Sequence, residues 1–412
     1  MKKFIAFIVF VAFVALANTL SAQTAQPEKP ESPPGKALFN WIAKILKSNL
    51  DISVGATQEY DDNIFLEETD RHRDLKTTLT PSVYLEKQWD KAYIGMGHQA
   101  EAVYYRDNVA WVITQETDAE LRYEVSPVWA VGVKDTHIHS GQKWVPDKTG
   151  TDRILRLGYN INTLLAQNKL KVADNLTLTN EYQFDYINFL DQNQDTYIDR
   201  NIDEARTILG YAVTPQTSLS LGHAFRWVGY HSAEADPKDF TANKLSVGIV
   251  QKFLRKFTVD AGIEEEWRNF NEGENSFGLN VKAGLSSTFS KFTSFALRYM
   301  RNLGDSSRSE YRQYTSDRVM ASMRRYLDPK TILFLSAGYE KQFYDNLDRL
   351  ATSTIQSGDR RTFLYSGNLT LRRIFTNWLS GELSYHYSKR DTAFPKEGYT
   401  NNRYVAGLRV SW

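Results

Sequence analysis

The side chains able to do chemistry in this chain recur at even intervals and do not gather into one motif. Glu116, Asp118 and Glu120 stand two residues apart, as do Glu264 and Glu266; Glu181 and Asp185 keep the same phase. Arg298, Arg318, Arg324, Arg372 and Arg409 follow later, and Tyr84, Tyr93 and Tyr105 come earlier. In an extended chain every second side chain lies on one face, so this spacing lines a surface with charges and phenols. Such a surface can conduct, bind or repel hydrated solutes. Two readings of it stay open: opposed acidic and basic walls that set up a transverse field, or charges that pair with one another and fill space. Neither is catalysis. The chain has no GxSxG elbow and no histidine clustered with a carboxylate, so it is expected not to be an enzyme.

Metal chemistry is poorly supported. Asp191, Asn193, Asp195 and Asp199 imitate a calcium loop, but Thr196 replaces the glycine of the sharp turn and Ile202 stands where the bidentate Glu belongs. His137 and His139 share a strand face, and two histidines do not make a site. No metal and no cofactor is expected.

The elements that position these residues are strands. Phe277, Leu279, Val281, Ala283 and Leu285 alternate with Gly278, Asn280, Lys282 and Gly284. Leu157, Tyr159 and Ile161 alternate with Gly158 and Asn160, and Leu379, Leu383, Tyr385 and Tyr387 with Ser380, Glu382, Ser384 and His386. Tight turns near 88–91, 126–128, 168–172, 214–217, 254–256, 290–292, 327–330 and 375–377 alternate with longer polar connections such as 67–74, 141–152, 188–203, 304–311 and 345–360. A sandwich has no reason to alternate in this way; a barrel with short periplasmic turns and long extracellular loops does. The fold expected is all-β: a transmembrane antiparallel β-barrel of about 18 strands over 50–412, apolar face to lipid and polar face to lumen. Its first partner is then outer-membrane lipid of a Gram-negative cell.

The N-terminus fits that destination. Lys2 and Lys3 precede an apolar run from Phe4 to Leu16 and small residues up to Ala22, which reads as a signal peptide over 1–22. Pro-rich 23–36 reads as a linker. Leu38, Trp41, Ile42, Ile45 and Leu46 recur at helical spacing, so 37–48 reads as an amphipathic helix, lying on the leaflet, docking in the barrel mouth or covering the first strand. Aromatics make up 13% of the 412 residues, cysteine is absent and the net charge is +1. Mean hydropathy is −0.48. A balanced charge offers no footprint for nucleic acid, and a polar average excludes a helical membrane protein.

Two segments carry resemblances. The last strand ends Gly407-Leu408-Arg409-Val410-Ser411-Trp412. Gly407, Val410 and Trp412 resemble the C-terminal signal by which barrel-assembly machinery recognises outer-membrane proteins, although Val405 stands where a polar residue is usual. Tyr60-Asp61-Asp62-Asn63-Ile64-Phe65 resembles the opening hairpin of a β-barrel porin family associated with exopolysaccharide production. That resemblance implies a porin taking part in export of a cell-surface polysaccharide, with the polymer and periplasmic export components as partners. A general or sugar-selective uptake porin shares every physical feature named above, and a barrel enzyme or structural surface protein is the third class. Physically, Asp61, Asp62 and Asn63 are poor strand formers suited to a bend.

Overall fold

The computed structural model describes residues 49–107, 110–141, 158–190, 199–231, 239–254, 256–271, 273–306, 311–344, 360–395 and 397–412. The segments read as signal peptide, linker and amphipathic helix lie outside them. Eighteen strands form one sheet. They are β1 (Asn49–Asp61), β2 (Asp74–Gln88), β3 (Ala92–Tyr105), β4 (Ala110–Ser126), β5 (Trp129–Ser140) and β6 (Tyr159–Ala173). Then come β7 (Leu176–Phe189), β8 (Arg200–Thr214), β9 (Thr217–Tyr230), β10 (Phe240–Phe253), β11 (Phe257–Phe270) and β12 (Ser276–Ser290). The last are β13 (Thr293–Asp305), β14 (Gln313–Asp328), β15 (Thr331–Tyr344), β16 (Arg360–Ile374), β17 (Leu379–Thr392) and β18 (Tyr399–Ser411). Each pairs antiparallel with the next, and β1 also pairs with β18 from Ser53↔Ser411 to Asp61↔Arg403. The sheet therefore has no free edge, and through the middle of the wall each strand's backbone groups are met by neighbours, the condition for crossing a bilayer.

The turn between β6 and β7 falls at 174–175, not at 168–172. Asn168, a common turn former, stays in the ladder because its Oδ1 accepts the Trp129 indole N–H at 2.7 Å. The connection read as 188–203 is shorter, since β7 runs to Phe189 and β8 starts at Arg200.

Side chains alternate as the period predicts through the middle of the wall. Leu219, Leu221, Phe225, Leu245, Val247, Ile249, Ile263 and Leu285 are exposed on one surface. Their neighbours Ser220, Gly222, Ser246 and Glu264 face the other way, into the lumen. Large exposed aromatics border this belt, with Tyr60, Trp111, Trp227, Trp267 and Tyr404 toward the long loops and Tyr123, Trp129, Tyr211, Phe289 and Trp378 toward the short turns, as interfacial girdles do.

Toward the long loops the polarity inverts. Tyr159 and Ile161, read from sequence as part of a lipid-facing set, instead pack inside the barrel with Ile187, Phe189 and Ile138. Val228, Tyr230, Phe240, Ala242 and Phe270 form a second inner cluster. Tyr311, Tyr344 and Phe394 form a third. The physical reason is solvent. Where strands project beyond lipid, water lies outside and apolar residues gain by turning inward. The outer mouth is thus built like a soluble core, and only the middle of the barrel is inside-out.

Candidate functional site

The lumen is the site, and buried ion pairs and inward-packed aromatics gather at its outer mouth. β13 pairs with β12 from Ser290↔Thr293 up to Val281↔Arg301 and then leaves it. The chain from Asn302 onward bends over the inner wall. The Leu303 N–H donates to Asn280 Oδ1 at 2.7 Å, and a Cβ on lumen-facing Gly278 would strike the Leu303 side chain at 2.6 Å. Gly278 therefore leaves room for this crossing.

Asp305 ends this stretch against the inner face of the neighbouring strands β9 and β11. Arg226 Nη2 on β9 donates to its Oδ2 at 2.7 Å, and Arg268 Nη1 on β11 lies 3.0 Å from its Oδ1. Arg268 is fully buried. It also donates to Glu266 Oε1 at 2.7 Å and to the Leu303 carbonyl at 3.0 Å. Its guanidinium lies 4.8 Å from the Phe240 ring centroid. Arg312, at the other end of the loop, sits over Phe270 at 5.1 Å. Left-handed Gly273, at φ 81°, lies against that guanidinium, where a Cβ would collide. Below, Lys244 donates to Glu204 Oε2 at 2.7 Å and Arg206 to Glu204 Oε1 at 2.8 Å. Arg206 also comes within 3.5 Å of Glu264. Charges this buried persist because each is paired.

A second clip closes the side of the mouth at β1 and β18. Asn63 is fully buried. Its Nδ2 donates to the carbonyls of Glu67 at 2.7 Å and Thr400 at 3.0 Å, and its Oδ1 accepts the Glu67 N–H at 2.9 Å. Asn401 Nδ2 donates to Asp61 Oδ1 at 2.7 Å and to the Asn63 carbonyl at 2.9 Å. Leu66 takes a positive φ of 53° to complete the bend. Ile64 then packs with Val103, Tyr105 and Phe65 inside the wall.

The residues singled out from sequence fall as follows. Tyr84 and Asp118 meet over Gly97 on the lumen face. Tyr93 lies under Arg122 at 5.0 Å, and Arg122 pairs with Glu120. Tyr105 is part of the mouth core. Glu116 stands beside Gln99 and Ile138, Glu181 beside Arg206, and Asp185 beside Ile202 on the inner face. Arg298 lies opposite Gly284 and Met320, and Arg324 opposite Ser294 and Phe334. Arg318 donates to Glu340 Oε2 at 2.6 Å, and Arg372 to Glu382 Oε2 at 2.7 Å. Arg409 reaches Ser53 Oγ at 2.7 Å. Gly407 faces inward against Thr57, whereas Trp412 is exposed on the lipid side beside Ile52, whose carbonyl accepts its N–H at 2.9 Å.

Glu264 and Glu266 do not join the acidic residues of β3–β7. They sit among Arg206, Lys244 and Arg268. Arg226, Lys244 and Arg268 were within reach of the period-two pattern and escaped it. Asp305 ends β13 past the point where the strand leaves β12, so the alternation carries no signal for its inward contact. Asp199 is engaged by Phe189 N–H and Asn188 Nδ2, while Asp191, Asn193 and Asp195 lie outside the described residues. His139 faces outward and contacts Asn160 at 2.7 Å. Glu67, Asp70 and His72 lie close enough to hold a cation, but His72 already contacts the Asp70 carbonyl at 2.9 Å and Glu67 at 3.4 Å, and exposed loop pairs need no ion.

No family model matches this chain, and no curated protein matches it. Solved structures do. Pseudomonas aeruginosa OccK2 in complex with glucuronate is 11% identical over 89% of this chain and 99% of its own, with a TM-score of 0.51. A second OccK2 structure, also 11% identical with a TM-score of 0.51, covers 88% of this chain and 98% of its own. The siderophore receptor PirA from the same organism is 10% identical over 89% of this chain and 80% of its own, with a TM-score of 0.48. The shared feature is the fold. The chain is a closed 18-strand antiparallel barrel, a fold it shares with OccK2.

Proposed function

We propose that this barrel is a passive channel for entry of small hydrophilic solutes. The observation that carries this reading is the outer end of β13, Asn302–Asp305, folded over the inner face of β12 and β11 at the outer mouth and tethered by Asp305 to Arg226 and Arg268. A strand end folded inward and fixed by buried ion pairs takes up room in the mouth, which suits small solutes. A conduit for a hydrated polymer needs that space open. Pore-lining charges of both signs serve the same role, since weak, distributed contacts let solutes enter and leave.

Export of a polysaccharide rests on the resemblance at Tyr60 to Phe65. In this chain Asp61, Asp62 and Asn63 bind β1 to Asn401 and Asn402 of β18, a structural task that calls for no polymer. The test is paired. Purified protein in liposomes should admit monosaccharides and exclude oligosaccharides above a sharp size limit, and saturating sugar should block single-channel current. Deletion of the gene should leave surface polysaccharide unchanged. Loss of surface polymer with polymer accumulating inside the cell would instead establish export.

A further inference from the structure

Toward the short-turn end, the inner wall carries a feature unlike the rest of the lumen. One hydrogen-bonded row crosses β10 to β14 as Lys252, Thr258, Ser286, Ala296 and Ser322, each opposite the next. The adjoining row places Thr288 opposite Ser294, Ser294 opposite Arg324, and Arg324 opposite Phe334. Lys256, in the β10–β11 turn, accepts the Thr288 N–H on its carbonyl at 3.0 Å. Short side chains across neighbouring strands leave a depression, a cavity of about 420 Å³ lined by these residues. Five hydroxyls form its floor, and Phe334 gives it one lumen-facing ring.

Its cations, like Lys282 and Arg298 above them, differ from the paired cations of the inner face. Arg206, Arg226, Lys244, Arg268, Arg318 and Arg372 each hold a carboxylate. The side chains of Lys252, Lys256 and Arg324 are exposed to the lumen and have no ion-pair or hydrogen-bond partner among the described residues. The row above adds Asp260 and Arg298, on either side of Gly284 and of opposite sign, so the excess of positive charge remains. Three free cations around a hydroxyl floor attract a group that carries both an anion and many hydroxyls. Neutral sugars would engage only the floor, and simple anions only the rim.

We propose that this depression is a binding site for an anionic sugar: a polyol bearing one carboxylate or phosphate group. Lys252, Lys256 and Arg324 take the anionic group. Thr258, Ser286, Thr288, Ser294 and Ser322 exchange hydrogen bonds with the ring hydroxyls. The inference rests on the channel reading only for how the ligand arrives, and binding itself is measured without transport.

The experiment is equilibrium titration of the full-length barrel in detergent with glucuronate, glucose 6-phosphate, glucose and inorganic phosphate. Both anionic sugars should bind at least tenfold more tightly than glucose or phosphate, and binding should weaken as salt rises. The K252Q/K256Q/R324Q variant should lose tenfold or more for both. The T258V/S286A/S322A variant should weaken the anionic sugars while leaving phosphate unchanged, and it keeps the charges should the first variant fail to fold. Equal binding of glucose, equal binding of phosphate, or unaltered affinity in both folded variants would overturn the site. Liposome entry is scored separately, so a barrel that binds and does not conduct refutes the channel and leaves the site standing.

Discussion

Removing the Asp305 carboxylate strips Arg226 of its ion-pair partner in a place where water scarcely reaches. Arg268 keeps Glu266, so the loss falls chiefly on Arg226 and on the loop. Leaving a buried charge uncompensated costs about 3–5 kcal/mol in comparable cases. Asp305→Ala is therefore expected to release the outer end of the β13–β14 hairpin without opening the barrel. Limited proteolysis should cut the loop faster, and single-channel conductance should rise; an unchanged cleavage rate and conductance would show that the tether does not hold the strand end. Asn63→Ala removes three hydrogen bonds inside the second clip. Each buried backbone group left unpaired costs about 1–3 kcal/mol. The variant should lower the temperature at which the barrel unfolds on gels, whereas Asn→Ala at exposed Asn175 should leave it in place.

Strands carry the next level of consequence, because one residue of phase separates lipid from water. On β10, Val247 lies in the apolar belt and Ser246 faces the lumen between Gly222 and Glu264. Val247→Arg is expected to reduce folding stability by about 2–4 kcal/mol if it sits near the midplane. Ser246→Arg, one step away, should fold normally and alter ion selectivity. Urea titration of refolding into vesicles measures the first, and reversal potential the second. Equal destabilisation by both would mean that the two faces are not lipid and lumen. The closing ladder makes a similar demand. Trp412 exchanges backbone hydrogen bonds with Ile52 beyond the Ser53↔Ser411 pair, so deleting Trp412 shortens the β1–β18 seam and removes an outward aromatic at the membrane boundary. We expect lower surface yield from cells, read by surface labelling. Normal yield would show that the seam tolerates the loss and that barrel-assembly machinery does not need this residue.

Across the whole barrel, charge is divided by arc. The inner faces of β2 to β7 carry Glu86, Glu101, Glu116, Asp118, Glu181 and Asp185 beside fewer cations, such as Arg122 and Lys134, while those of β10 to β14 carry Lys244, Lys252, Arg268, Lys282, Arg298, Arg318 and Arg324. Many basic residues already hold a carboxylate, so the acidic arc should weigh heavily in selectivity. Converting Glu116, Asp118 and Glu181 together to Gln is expected to move the reversal potential under a salt gradient toward anion preference, with folding intact by heat-dependent gel migration. No movement would mean that ions pass along the opposite wall or are screened from this one.

The period of two was enough to establish strands, their two faces, and the alternation of short and long connections, because each is local to the chain. It also placed Glu116, Arg324 and Arg372 on the inner side, since facing follows from phase alone. It could not tell that Tyr159 and Ile161 turn inward, because that depends on where the bilayer ends along each strand, a property of the assembled barrel. Nor could it pair Glu266 with Arg268 in preference to a partner across the lumen, or bring Asp305 to Arg226, 79 residues away in sequence. Those contacts depend on how a departing loop bends over a curved wall. Curvature arises only when eighteen strands close, and closure is set by the sum of all registers, which no single strand encodes.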